Sequence, residues 1–290
     1  MSAIRGIWAA ALTPVTADFQ PDAAKAISYY RELLENGCDG INVLGTTGEA
    51  MSFSAAQRER YMQALAASGL PMQRLMAGTG AASLDDAVRL TRAALDCGFA
   101  AALIMPPFFY RDAPDDGIVA FFDALMAAVN PPHKSLLLYN FPRMTGITLH
   151  AALADRLMTA SGDRIFGMKD SSNDAQLQAE IVARRPEASI FPGSESDLRE
   201  AKRRGAAGCI SGSVALWPRL AKSVFENGDE AQAGELKRLR ASLDGVPLVG
   251  AVRYLTARSH ADPDWERAMA PQEPLSVERG ERLDRALASI

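Results

Sequence analysis

Residues 96–107 read Asp-Cys-Gly-Phe-Ala-Ala-Ala-Leu-Ile-Met-Pro-Pro: a helix end, a glycine, a continuous apolar run and a proline stop. The glycine suits the left-handed turn that closes a helix, the apolar run suits a strand covered on both faces, and the prolines end its ladder. The same junction recurs at Asn36-Gly37-Cys38-Asp39-Gly40 and Arg204-Gly205-Ala206-Ala207-Gly208. Working outward, short apolar runs at Gly6–Thr13, Gly40–Gly45, Leu75–Gly80, Ala100–Pro106, Ser135–Asn140, Ile165–Lys169, Ser189–Gly193 and Cys209–Ser213 predict eight strands. The gaps between them read as amphipathic helices, opened by Pro21-Asp22, Ser54, Ser83 with Asp85-Asp86, and Asn173-Asp174. Strands that are continuous apolar runs, instead of alternating ones, indicate a parallel sheet, and eight βα units close most simply into a (β/α)8 TIM barrel of the α/β class. A doubly wound open sheet is the alternative, but no Gly-x-Gly-x-x-Gly follows the first strand. An eighth helix is predicted near Val214–Asn227, then further helices at Asp229–Leu243, Val246–Ser259 and Leu275–Ile290. The expected organisation is therefore a barrel over 1–227 with its site at the C-terminal strand ends, and a helical region over 228–290 packed on it.

The 290 residues carry 31 Lys+Arg against 35 Asp+Glu, with no basic run, so the charge pattern that binds nucleic acid is missing. Cys38, Cys97 and Cys209 are far apart and odd in number, which indicates a reducing cytoplasm instead of a disulfide framework. His133, His150 and His260 lack metal-ligand spacing, and no metal is expected. The most apolar stretch, Phe99–Tyr110, contains prolines and is too short to span a membrane. Arg5 and the run Ile7–Leu12 imitate a signal peptide only weakly, since no A-x-A site follows and Thr13-Pro14 reads as a strand end.

In such a barrel the polar residues at the C-terminal strand ends carry the chemistry. Four clusters stand there: Gly45-Thr46-Thr47-Gly48-Glu49, Tyr139-Asn140-Phe141-Pro142, Gly167-Met168-Lys169-Asp170-Ser171-Ser172, and Gly193-Ser194-Glu195. Lys169 is the most informative, because it is the one lysine of six that interrupts an apolar strand. An ammonium taken out of water is penalised, and the free amine is a nucleophile that forms Schiff bases with carbonyl substrates. The plainer reading is a strand-end lysine that reaches the barrel mouth or pairs with Asp170. Tyr139 ends the neighbouring strand and can supply the acid/base step that a Schiff base needs, or simply fill the interior. Thr46 and Thr47, between glycines, offer hydroxyl and amide donors suited to a carboxylate, or merely cap a turn.

These four clusters, in order and spacing, strongly resemble the dihydrodipicolinate synthase/N-acetylneuraminate lyase family, over Ile4 to about Trp217. The resemblance implies a barrel lyase that binds pyruvate or another small 2-oxo acid as a Schiff base and needs no cofactor. By it, Lys169 forms the imine, Tyr139 shuttles the proton and Thr46 relays it, while Thr47 holds the substrate carboxylate with the Thr46–Thr47 backbone. Gly193 and Ser194 belong to the substrate-binding set. It also implies a homotetramer or homodimer.

Two departures bear on substrate. Relatives place a tyrosine, lent across a dimer interface, where Pro107-Phe108-Phe109-Tyr110 has Phe109. Tyr110 or water is then the substitute, and a barrel that binds 2-oxo acids without turning them over is the non-enzymatic alternative. Synthases that condense pyruvate with aspartate semialdehyde carry an arginine where this chain has Met144, with Arg143 one residue early. Met144 therefore favours an aldolase or dehydratase of a 2-keto-3-deoxy sugar acid. Glu195 is a candidate for substrate hydroxyls, or else an acid at a helix N-terminus.

Overall fold

The computed structural model describes residues 4–290. Eight parallel strands, β1 (Gly6–Ala10), β2 (Gly40–Val43), β3 (Leu75–Gly78), β4 (Ala101–Ile104), β5 (Leu136–Asn140), β6 (Ile165–Asp170), β7 (Ser189–Pro192) and β8 (Gly208–Ser211), pair in the order β7-β6-β5-β4-β3-β2-β1-β8. The ring closes between its ends through Ala207 N, which donates to Ile190 O at 2.8 Å. This is the (β/α)8 barrel that the sequence pattern predicts. Alternate residues turn inward, and Trp8, Ala10, Met76, Leu103, Leu137, Tyr139, Phe191 and Ile210 fill the barrel. Their neighbours, such as Ile7, Ala9, Leu136 and Leu138, pack outward against the helices.

Those helices are α1 (Ala23–Glu35), α2 (Ala55–Ala66), α3 (Leu84–Asp96), α4 (Asp115–Val129), the single turn α5 (Pro142–Thr145), α6 (Ala151–Ala160), α7 (Ala175–Arg184), α8 (Leu198–Arg203) and α9 (Pro218–Asn227). The caps fall where the sequence places them: Asp22, Ser54, Ser83 and Asp174 each accept from a backbone N–H of the first turn. Ser54 and Gln57 form a reciprocal capping box, a device that adds about 1 kcal/mol to a helix end. The junction glycines Gly37, Gly98 and Gly205 adopt φ of 109°, 80° and 95°, a backbone that any side chain would strain.

One helix departs from expectation. The predicted stretch Val214–Asn227 is split into a 3-10 turn, Ser213–Leu216, and α9, because Pro218 bars its predecessor from helical geometry and Trp217 sits at φ −136°, ψ 51°. Beyond Gly228 come α10 (Glu230–Ser242), α11 (Leu248–Ser259), a 3-10 turn at Pro263–Glu266 and α12 (Val277–Ala288). Among the described residues no helix is long and apolar enough to cross a membrane.

Candidate active site

Parallel pairing of β5 with β6 sets Tyr139 opposite Lys169 and Asn140 opposite Asp170. Strand alternation sends the first pair into the barrel and the second outward. The outward pair anchors the inward one: Asn140 Nδ2 donates to Asp170 Oδ1 at 2.8 Å, and Asp170 Oδ2 accepts from Gln178 Nε2 (2.8 Å) and Ser172 Oγ (2.9 Å). Asn140 Oδ1 in turn accepts from Leu149 N at 2.9 Å. Asp170 is thus fully engaged away from Lys169, so the simple pairing of these neighbours is not what the fold makes. Asn140 and Gln178 had no assigned part in the sequence reading; the Tyr-Asn and Lys-Asp dipeptides contained the signal.

Inside, Lys169 is 4% exposed and its Nζ lies 4.4 Å from the centroid of the Tyr139 ring. That ring stacks on Phe141, with centroids 5.7 Å apart. Its hydroxyl meets Thr46 Oγ1 at 3.2 Å. Lysine, phenol and threonine hydroxyl, from three separate strand ends, therefore form one group. Thr47 is buried beside them, its hydroxyl against the end of β8, where a Cβ on Gly212 would come within 2.6 Å of Thr47 Oγ1.

A cavity of about 280 Å³ opens above this group, bounded by Gly45, Thr46, Glu49, Gly78, Gly80, Leu103 and Tyr139 below and by Met51, Met105, Phe108 and Met144 nearer the rim. Lys169 is not in its wall; its Nζ lies over the ring of Tyr139, which is. Val249 of α11 and Gln272 complete the wall, a contribution of the C-terminal residues that periodicity could not reveal. Met144 is half-exposed in the wall, whereas Arg143, one step around the α5 turn, is exposed and outside it.

The other sequence candidates lie elsewhere. Ser194 faces a different cleft with Asn173, Arg204 and Arg240. Gly193 is half-buried, and a Cβ there would come within 2.2 Å of the Ser171 hydroxyl. Glu195 is fully buried, lines a cleft with Arg199, Val224 and Lys237, and has both carboxylate oxygens without a hydrogen-bond partner. Phe109 and Tyr110 are 72% and 74% exposed, edge to face with each other and outside the cavity wall. No group of three or more His, Cys, Asp or Glu fit to hold a metal occurs among the described residues.

A buried amine against a phenol at the C-terminal mouth of a (β/α)8 barrel is an arrangement suited to a barrel lyase of the class I, Schiff-base type. The model of the dihydrodipicolinate synthetase family matches residues 3–255, and the chain belongs to that family. It is 37% identical to an uncharacterized DapA-like lyase of Chloroflexus aurantiacus over 247 residues, 85% of this chain and 81% of that one. Among solved structures, dihydrodipicolinate synthase from Agrobacterium tumefaciens superposes with a TM-score of 0.93 at 28% identity, covering 99% of both chains. The chloride-inhibited dihydrodipicolinate synthase from Acinetobacter baumannii, complexed with pyruvate, gives 0.86 at 28% identity, covering 99% of this chain and 98% of that one.

Proposed function

We propose that the protein binds a small 2-oxo acid as an imine on Lys169 and makes or breaks a bond to that acid's carbon skeleton. The observation that carries this is the placement of the Lys169 amine 4.4 Å from the Tyr139 ring, with the Tyr139 hydroxyl 3.2 Å from Thr46. The amine adds to the C2 carbonyl, and the carbinolamine loses water to leave a cationic imine. When the C3–C4 bond of a 4-hydroxy-2-oxo acid breaks, its electron pair passes into the imine as an enamine, and the C4 hydroxyl proton goes to a base. Tyr139 is that proton carrier, with Thr46 passing the proton on. Thr47 and the Thr46–Thr47 amides meet the substrate carboxylate. The imine supplies the electron sink, so the chemistry asks for neither metal nor cofactor.

For the remainder of the substrate we favour the uncharged tail of a 2-keto-3-deoxy sugar acid over aspartate semialdehyde. Met144 in the cavity wall, with Arg143 outside it, supports this choice, because no arginine of that turn is placed to hold an acidic second substrate. Thr46, Ser52 and Gln272 of the wall are groups available to sugar hydroxyls. The same substrate choice assigns no contact to Glu195 in its present direction. Exposed Phe109 and Tyr110 suit burial against a second copy of the chain, in keeping with a homodimer or homotetramer.

Incubation with pyruvate and borohydride tests the reading. Peptide mass spectrometry is expected to find the reduced pyruvyl adduct on Lys169. An unmodified Lys169 in an enzyme that still cleaves its substrate would refute the mechanism.

A further inference from the structure

The turn that carries Thr46 and Thr47 is closed on itself, with Glu49 N donating to Thr46 O at 3.0 Å and Ala50 N to Gly45 O at 3.2 Å. Its last residue, Glu49, adopts φ 52°, ψ 34°, a left-handed backbone that costs an L-residue roughly 1–2 kcal/mol. Contacts from far along the chain hold it there. Glu49 Oε1 accepts from Met269 N at 3.0 Å. Oε2 accepts from Arg253 Nε at 2.8 Å and also from Arg253 Nη2. Arg253 belongs to α11 and is 1% exposed. Its Nη2 also donates to Thr13 O, beyond β1, at 3.0 Å, and its Nη1 donates to Trp265 O at 3.2 Å. One guanidinium therefore joins the exit of β1, the turn after β2 and the C-terminal 3-10 turn. One helical turn earlier on α11, Val249 stands in the cavity wall.

A pair buried this deeply adds little to stability, because taking two charges out of water offsets most of their attraction and an apolar pair of similar volume packs as well. What an apolar pair cannot do is fix direction. The guanidinium is a rigid planar set of donors, and each donor spent here holds a backbone or carboxylate oxygen at one place. Loss of that direction would leave the turn intact in outline while Thr46 drifted from Tyr139, and displacements of that size matter to a proton relay.

We propose that Arg253 is a positioning residue of the reaction: through Glu49 it holds turn 45–49 so that Thr46 keeps its hydrogen bond to Tyr139 and the Thr46–Thr47 donors stay aimed at the substrate carboxylate. This rests on the parts given above to Lys169, Tyr139, Thr46 and Thr47. It makes the C-terminal helices a component of the catalytic unit, although they supply no reacting group.

The decisive variant is the double replacement Glu49→Leu with Arg253→Met, which removes both charges together and leaves no buried charge unpaired. Its thermal midpoint, its kcat and KM, and the pyruvate concentration that half-saturates borohydride trapping are compared with wild type. The expected result is a folded protein still labelled on Lys169, with half-saturation raised tenfold or more and kcat lowered. Arg253→Lys, which keeps the charge but not the fork, should fall between the two. Lys25→Met, which breaks the outer ion pair to Asp262 on the same C-terminal segment, should leave the kinetics unchanged. A folded double variant with wild-type half-saturation and kcat overturns the proposal. If the double variant does not fold, Arg253→Lys decides: wild-type kinetics overturn the proposal and a raised half-saturation supports it. An unlabelled Lys169 in wild type overturns the imine reading, and this proposal with it; a labelled wild type beside an unaffected variant overturns this proposal alone.

Discussion

Tyr139→Phe separates catalysis from stability more sharply than any other single change at the site. The ring stays, so the stacking on Phe141 and the face presented to Lys169 are preserved and no cavity opens. What disappears is one hydroxyl whose hydrogen bond is to Thr46 Oγ1, at 3.2 Å. Thr46 is half-buried and lines the cavity, so its freed hydroxyl can turn to water. The stability cost is then that of one neutral hydrogen bond, about 1 kcal/mol, which in a chain of this length moves the thermal midpoint by roughly 1.5–2 °C. The catalytic cost is larger. An acid/base group contributes on the order of 10²–10⁴ in rate, which corresponds to about 2.7–5.4 kcal/mol of barrier. The assay is steady-state cleavage of a 2-keto-3-deoxy sugar acid beside calorimetry on the same preparation. The expected result is kcat reduced at least a hundredfold with the fold intact, and slower pyruvate trapping that still ends on Lys169. Turnover within a few-fold of wild type would show that the proton moves through another group, Tyr110 from a second copy being the first to test, and the relay drawn here would be wrong.

Three further outcomes are expected. EDTA should leave turnover unchanged, because the imine is the electron sink; loss of activity restored by a divalent ion would move the protein to metal-assisted chemistry. Condensation of pyruvate with aspartate semialdehyde should be at least tenfold weaker in kcat/KM than cleavage or dehydration of the best 2-keto-3-deoxy sugar acid, about the effect of one missing charge-assisted contact; the reverse order would mean that Arg143 reaches the site. Stability should fall above about pH 9: burial pushes the Cys38 thiol up to about 12 and raises Cys209, Tyr29, Tyr30 and Tyr61, so the folded state keeps protons that the unfolded chain releases from about pH 9 (thiols) and 10 (phenols) upward. Below that window both states hold these protons and the contribution is constant; above it each group removes about 1.4 kcal/mol per pH unit. Arg58, lowered to about 10 by burial, acts in the opposite sense but is one group against five. A denaturant midpoint that stays flat from pH 8 to 10.5 would contradict this.

The eight strands, the caps at Asp22, Ser54, Ser83 and Asp174, and the glycine-ended helices were legible in the sequence because each depends on a few neighbouring residues: a run of apolar side chains, an oxygen three positions before an amide, a backbone that only glycine adopts easily. Lys169 was legible for the same reason, as a charge in an apolar strand, and strand alternation was enough to aim it and Tyr139 inward. The direction of Glu195 was not. Glu195 lies in the loop beyond β7, where strand alternation no longer applies, and in the fold it is buried and lines a cleft with residues of α8 and α9. Nor could local pattern join Glu49 to Arg253, 204 positions apart, or bring Val249 and Gln272 into the cavity wall. Periodicity says which face of a helix is apolar, while the partner of that face depends on where a closed barrel leaves room. The sequence by itself determined the barrel and singled out Lys169 as the lysine within an apolar strand. The tertiary structure alone decided that the Tyr139 ring faces that lysine, that the Thr46 hydroxyl meets the Tyr139 hydroxyl and that Arg253 bonds to Glu49, because those contacts exist only once the ring of strands has closed and the C-terminal helices have settled against it.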